Sequence, residues 1–215
     1  MNICFWKKKK VWTYENCIAD IMNKCESIKL DPNKDYGLRV DNIKKNEILY
    51  KDIASRIFVI CEVKIPWQVI GVIHYRESSC DTHTHLHNGD PLTARTKHVP
   101  AGRPKEGNPP FTFIESAVDA LMLEFEGLDV KKYTTIEDWL FFCERYNGFG
   151  YRSRGLNSSY VWGWTNHQSK GMFVADGKFD GNKVDPRPGC AALLKYMYDE
   201  IQNTEFEWQN ISDHV

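Results

Sequence analysis

Residues 67–96 read WQVIGVIHYRESSCDTHTHLHNGDPLTART. No proline falls between Trp67 and Glu77, and Gly71 is isolated. Ile70, Ile73, His74 and Glu77 follow one another at spacings of three, one and three. That spacing puts all four on one helical face and predicts a helix ending at Glu77. A carboxyl group held among isoleucines resists ionisation, so its pKa should rise. A raised pKa is what a general acid needs near neutral pH. The competing reading is a glutamate at a helix end that faces water.

A β-hairpin is expected directly after the helix. Thr82–His87 forms one strand, and Asn88-Gly89 supplies a type I′ turn because both residues accept positive φ. Thr93–Thr96 returns as the second strand, with Pro91 weakening it or placing it at an edge. Asp90, beside the turn, is the nearest candidate for a second carboxylate. Thr93 is the candidate for orienting a water with it. His83, His85 and His87 alternate on one strand face, which suits a zinc site. No His-Glu-x-x-His motif accompanies them. They read instead as hairpin surface or as hydrogen-bond donors, His85 among them, and no metal or cofactor is assigned.

Arg76-Glu77-Ser78 at a helix end resembles the Glu-Ser motif of goose-type lysozymes and soluble lytic transglycosylases. Glu144-Arg145-Tyr146-Asn147-Gly148-Phe149-Gly150-Tyr151-Arg152 resembles their Ala-Tyr-Asn-Ala-Gly motif, which closes a helix under the same cleft. The runs HNGDPLTARTKHVPAGRP, FGYRSRG and VADGKFD are similar to bacterial and phage lysozyme-family peptidoglycan hydrolases. The likeness covers roughly residues 70 to 195. It implies a mainly α-helical, lysozyme-like domain with a small β-hairpin beside the active-site helix. It also implies a cleft for aminosugar polymers, with Glu77 as the acid. The Gly-Leu-Met-Gln motif of the transglycosylases is not visible. Asp90 and Thr93 do not stand at the spacing that phage-type lysozymes use.

The chain has 215 residues, 42 % hydrophobic and 27 % charged, which suits one domain with an ordinary core. A formal net charge of −1 provides no global field for nucleic acid or anionic lipid. Lys7–Lys10 is the one basic cluster and reads as a solvated tail. No stretch approaches the ~20 apolar residues of a membrane span. No signal peptide is seen, so the expected location is cytoplasmic as synthesised, with action on the cell wall after release. Seven scattered cysteines without a Cys-x-x-Cys pair fit reduced thiols rather than a zinc ribbon.

The remaining elements follow from periodicity and caps. Residues 14–29 predict an amphipathic helix with Ile18, Ile21, Met22, Cys25 and Ile28 inward. Residues 33–49 read as loop or short helix. Asp52 caps a helix to about Ile65 with Ile53, Ile57, Ile60 and Cys61 inward, and Pro66 breaks it. Residues 97–110, rich in proline and glycine, are a loop. Thr112-Phe113-Ile114-Glu115 is a capping box opening a helix to Gly127, whose apolar face marks it as the central one. Thr134-Thr135-Ile136-Glu137 opens another, ended by Gly148. The stretch 149–189 shows little regular pattern. Its rings interleave with Gly, Ser, Asn and Arg, as a glycan surface would. Asp176, Asp180, Asn182 and Asp185 read as turns, because EF-hand spacing is not met. A last helix covers 190–203, with Leu193, Leu194, Tyr196, Met197 and Ile201 inward.

The expected organisation is a basic tail at 1–13, one lysozyme-like domain at 14–205 and a C-terminal tail at 206–215. The expected activity is cleavage of the β-1,4 bond between aminosugars of peptidoglycan by a monomer. Glu77, Asp90 and Thr93 are the catalytic candidates. His85, Tyr146, Asn147, Tyr151 and Trp162 are the substrate-binding ones. The alternatives are a lytic transglycosylase giving anhydro-muramyl ends and a non-catalytic glycan-binding module.

Overall fold

A computed structural model describes residues 11–175 and 177–202, with side chains through residue 200. The Lys7–Lys10 cluster, Asp176, the side chain of Ile201 and the expected C-terminal tail lie outside the described residues. The chain is mainly helical, with one two-stranded antiparallel sheet among the described residues. In order the helices are α1 (Tyr14–Glu26), α2 (Gly37–Lys44), α3 (Glu47–Cys61), α4 (Trp67–Ser78), α5 (Phe113–Phe125), α6 (Ile136–Asn147), α7 (Ser159–Trp162) and α8 (Cys190–Gln202). Strands β1 (Met172–Ala175) and β2 (Lys178–Asp180) lie between α7 and α8. No described helix is long and apolar enough to cross a membrane.

α4 is the central helix. Every residue from Gln68 to Arg76 is buried, and α2, α3, α6 and α8 all pack on it. The expectation that α5 is central is corrected here: Val118 and Met122 on α5 are only partly buried. Burial of α4 all round explains its sequence, an apolar run broken by few polar groups. His74 and Arg76 are tied to the neighbouring elements. His74 Nδ1 meets the Tyr50 hydroxyl at 2.9 Å, and Nε2 meets the Asp81 carbonyl at 3.1 Å. Burial pushes the His74 pKa down to about 4, so the ring is neutral. Gly71 lets α2 and α3 approach closely. A Cβ there would lie 2.4 Å from Ile43 Cγ2 and 3.1 Å from the Tyr50 ring.

α4 stops without a glycine. Ser79 and Cys80 both take positive φ, 55° and 67°, and turn the chain sharply after Ser78. Asn42 Nδ2 holds the Ser79 carbonyl at 2.9 Å.

The hairpin beside α4 is built from other residues than expected. At 82–96 the chain does double back, with His85 N–H on the Asp90 carbonyl and Leu92 N–H on that of His83. Only one bridge pair forms, Thr84 with Pro91. Strand alternation fails because His85, Leu86 and His87 are all buried in succession. Of the turn pair only Gly89 has positive φ, so the type I′ turn is absent. The sheet instead pairs β1 with β2, in a stretch that shows little pattern. Phe173 stands opposite Phe179 with ring centroids 5.2 Å apart, and the Arg154 guanidinium lies over both rings.

Other boundaries shift by a few residues. α3 starts at Glu47, five residues before Asp52, which pairs with Arg56 inside the helix. Ile60 is exposed rather than inward, as is Met22 on α1. The α6 cap is Thr135 with Asp138, one residue later than expected, whereas the Thr112–Glu115 box stands as expected. Trp12 is packed rather than loose: its indole donates to Ser153 Oγ at 3.0 Å. The six described cysteines are free thiols.

Gly71→Ala tests the central position of α4. The overpacked methyl should cost about 1–3 kcal/mol of unfolding free energy, read as a lower urea midpoint with an unchanged slope. An unchanged midpoint would mean that α2 and α3 are not pressed against α4 at this residue.

Candidate active site

Glu77 sits in the last turn of α4. The helix brings it to the surface of the core, where it is only partly buried as a residue, yet protein crowds its carboxyl. Tyr160, the second residue of α7, donates its hydroxyl to Glu77 Oε1 at 2.8 Å. Burial raises the Glu77 pKa. The Tyr160 hydrogen bond and the charges of Arg76 and Arg187 offset part of that rise, leaving the pKa at about 7. Tyr160 itself is pushed well up by burial and by the Glu77 charge, so its phenol remains protonated.

Tyr160 is held from behind. The Arg76 guanidinium lies 5.0 Å from its ring centroid. Arg76 Nη2 bonds Asp185 Oδ2 at 2.7 Å and Nη1 bonds the Pro188 carbonyl at 3.0 Å, all within the buried interior. Arg187 grips the same carboxylate through Nε and Nη2. These two arginines hold the Asp185 pKa at about 2 against the effect of its burial. A close backbone crossing fixes α7 against α8. Gly189 N–H donates to the Gly163 carbonyl at 2.9 Å, and a Cβ on Gly189 would lie 2.2 Å from the Val161 carbonyl oxygen.

Glu77 lines a cavity of about 670 Å³ with Tyr146, Asn147, His87, His98 and Val99. Two further hollows, of about 420 and 380 Å³, adjoin it, and Asn147 lines all three. Together they form a groove over the C-terminal end of α6. Asn147 is exposed there as the last residue of the helix. Tyr146 is anchored by its hydroxyl on the Leu86 carbonyl at 2.8 Å, which ties α6 to the loop after α4. Tyr151 lines the 420 Å³ hollow that Arg76 and Arg187 also line, with its hydroxyl accepting from Ser159 Oγ and from the Phe173 amide.

Four expected site residues stand elsewhere. Asp90 is not among the residues lining the Glu77 cavity. Its Oδ2 accepts the amides of Lys97 and His98, and its Oδ1 meets His98 Nδ1 at 2.6 Å. Thr93 is exposed on the turn beyond it and lines none of the three hollows. His85 is wholly buried between Ser116 Oγ and the Ala94 carbonyl, both at 2.8 Å, and so belongs to the core. Trp162 is 1 % exposed, with no ring face open to a glycan. The three alternating histidines diverge as well. His83 is exposed, whereas His87 turns to α5 and places Nε2 2.8 Å from Asp119. Burial lowers the His87 pKa to about 4, so that ring is neutral. Among the described residues no three His, Cys, Asp or Glu side chains are grouped to hold a metal ion.

The wall opposite α6 is the 88–107 loop. Arg103 clamps Asp119 through Nε and Nη2 at 2.8 and 2.9 Å, and Thr96 accepts the Arg103 amide. Sequence reasoning missed Tyr160, His98 and Arg187. Tyr160 lies in an aromatic run with nothing to single it out. His98 stands in a stretch whose prolines announce only a loop.

The raised Glu77 pKa has a consequence for stability. Between the ordinary value of 4.5 and about 7 the folded chain holds a proton that the unfolded chain has lost. Stability from this group is therefore complete below 4.5 and is lost as pH rises toward 7, leaving a fixed penalty above it. Glu77→Gln removes that penalty. The variant should match native stability at pH 4 and exceed it at pH 8 by on the order of 1–3 kcal/mol. Equal melting at pH 8 would show that the carboxyl is not strained by its burial.

No family model, curated protein or solved structure matches this chain.

Proposed function

We propose that this chain cleaves the β-1,4 bond between aminosugars of peptidoglycan, with Glu77 as general acid. One observation carries the reading: a carboxyl at the end of a buried helix, with a pKa of about 7, lines a cavity of about 670 Å³ that shares Asn147 with two further hollows. At neutral pH about half of such carboxyls carry the proton that the leaving oxygen needs. Tyr160 fixes the orientation of Oε1 and leaves the other oxygen for the substrate. Asn147 offers an exposed carboxamide, which suits an N-acetyl group, and Tyr146 offers the edge of a ring.

The position of Asp90 favours a second reading of the same site. Among the described residues lining the Glu77 cavity there is no other carboxylate. The substrate acetamide or its 6-hydroxyl then completes the reaction, and the product is an anhydro-sugar, as in lytic transglycosylases. Binding without catalysis has less support, because a glycan-binding surface has no need of a crowded carboxyl.

Turbidity loss of purified peptidoglycan, with the soluble products read by mass spectrometry, tests this. Native protein should clear the suspension, and Glu77→Gln should be slower by about 10²–10⁴-fold. Activity should fall on the alkaline side as Glu77 loses its proton near pH 7. Clearance by Glu77→Gln at the native rate would remove Glu77 from the chemistry. Binding by both proteins with clearance by neither would favour the binding module.

A further inference from the structure

We propose that His98, held by Asp90, is the base that activates the attacking water in the cavity that it lines with Glu77. The inference rests on the glycosidase reading above and names the second group that a hydrolytic form of it requires. His98 comes from the proline-rich loop and lines the same cavity as Glu77, Tyr146 and Asn147.

The geometry is that of an oriented imidazole. The Asp90 side chain is 12 % exposed and that of His98 is 74 % exposed, so the carboxylate is rooted in the protein while the ring, which lines the cavity, is open to solvent. Asp90 Oδ1 lies 2.6 Å from His98 Nδ1. Hydrogen bonds from the Lys97 and His98 amides and from the His98 ring outweigh burial and hold the Asp90 pKa at about 2. The carboxylate is therefore ionised and can only accept, so Nδ1 must carry the hydrogen. In the neutral ring the free lone pair is then on Nε2. Among the described residues Nε2 has no hydrogen-bond partner.

The backbone beneath the ring is equally fixed. Asp90 Oδ2 accepts the Lys97 and His98 amides at 2.7 and 3.0 Å. Asn88 Nδ2 donates to the carbonyls of His98 and Val99 at 3.0 and 3.4 Å. The turn itself packs on the end of α4, since a Cβ on Gly89 would lie 3.6 Å from the Glu77 carbonyl oxygen. An exposed histidine ordinarily rotates freely. This one is tied at its ring and at its peptide, which costs entropy and adds little packing. A third group that fixes the tautomer of a base, and stabilises the imidazolium once formed, is the arrangement by which hydrolases use histidine.

The step balances as follows. Water attacks the anomeric carbon and passes one proton to His98 Nε2. The bond from that carbon to the leaving oxygen breaks, and its electron pair goes to that oxygen, which takes the Glu77 proton. The products are a new reducing end and a free hydroxyl, with Glu77 as carboxylate and His98 as imidazolium beside Asp90. A proton returns from His98 to Glu77 through solvent. Attack on the face away from the leaving group inverts the anomeric centre.

The test uses the full chain on peptidoglycan, with Glu77→Gln alongside. His98→Ala should lower kcat by about 10²–10⁴-fold with KM changed little, and added imidazole should restore part of the rate. His98→Gln keeps a hydrogen-bonding group but takes up no proton, so it should be as slow as the alanine variant. Product NMR should show inversion. Native rates for His98→Ala or His98→Gln, or a retained anomer, would overturn the assignment while leaving the glycosidase reading in place. If native protein cleaves neither peptidoglycan nor chitin, that underlying reading fails, and this one with it.

Discussion

The Arg76–Asp185 ion pair is the contact on which the site depends. It joins the last turn of the central helix to the segment that leads into α8, with the two side chains 2 % and 1 % exposed. Taking both charges out of water is expensive, and the pair is worth having only if the remaining hydrogen bonds are made. Most are: Asp185 also receives Arg187 and Ser159, and Arg76 also reaches the Pro188 carbonyl. Arg76 Nε is left without a partner among the described residues. Loss of Asp185 would strand the buried Arg76 charge, which costs about 3–5 kcal/mol. Neighbouring positions feel the pair directly. Arg76 supports the ring of Tyr160, and Tyr160 holds the carboxyl of the very next residue, Glu77.

That arrangement sets two forces on Glu77 against each other. Burial on a helix packed from all sides favours the neutral acid. The Arg76 and Arg187 charges and the Tyr160 hydroxyl favour the carboxylate. Burial alone would keep the proton too tightly to give it up at neutral pH. The charges alone would strip it away. The balance near 7 therefore belongs to the whole junction of α4, α7 and the α8 entry, not to the isoleucines of one face. Asp185 matters here because it neutralises one of the two arginines, which limits how far they pull the proton off.

Much of the helical frame was legible because it is local. Thr112 and Glu115 announce α5, Pro66 marks the start of α4, and Gly148 marks the end of α6. The short motifs single out Glu77, Tyr146 and Asn147, and all three line one cavity. What escaped depends on contacts far apart in sequence. Alternation at 82–87 looks like a strand, but Ser116 and Asp119, some thirty residues on, draw His85 and His87 inward. The β1–β2 pair was hidden because its strands are only four and three residues long. A ring run such as Tyr151, Tyr160 and Trp162 does not say which ring meets solvent. Packing on α8 decides it and leaves Trp162 in the core.

Asp90 stands near the Glu77 cavity without lining it, and its carboxylate is taken up by the loop. Its place beside a turn near Glu77 is what a catalytic carboxylate would occupy, and it is indeed held next to the groove. The amides of Lys97 and His98, eight residues or fewer along the chain, claim one oxygen, and the His98 ring claims the other. A carboxylate so satisfied has little left to offer a substrate. It can still act at one remove, because a fixed negative charge decides which nitrogen of the neighbouring ring holds the hydrogen. The loop that looks like a connector thus lines one side of the cavity with Asn88, His98 and Val99, and Asp90 fixes its shape there. Its clamp on Asp119 adds a second tie, from Arg103 Nε and Nη2, so the loop is held to α5 as well as to its own turn.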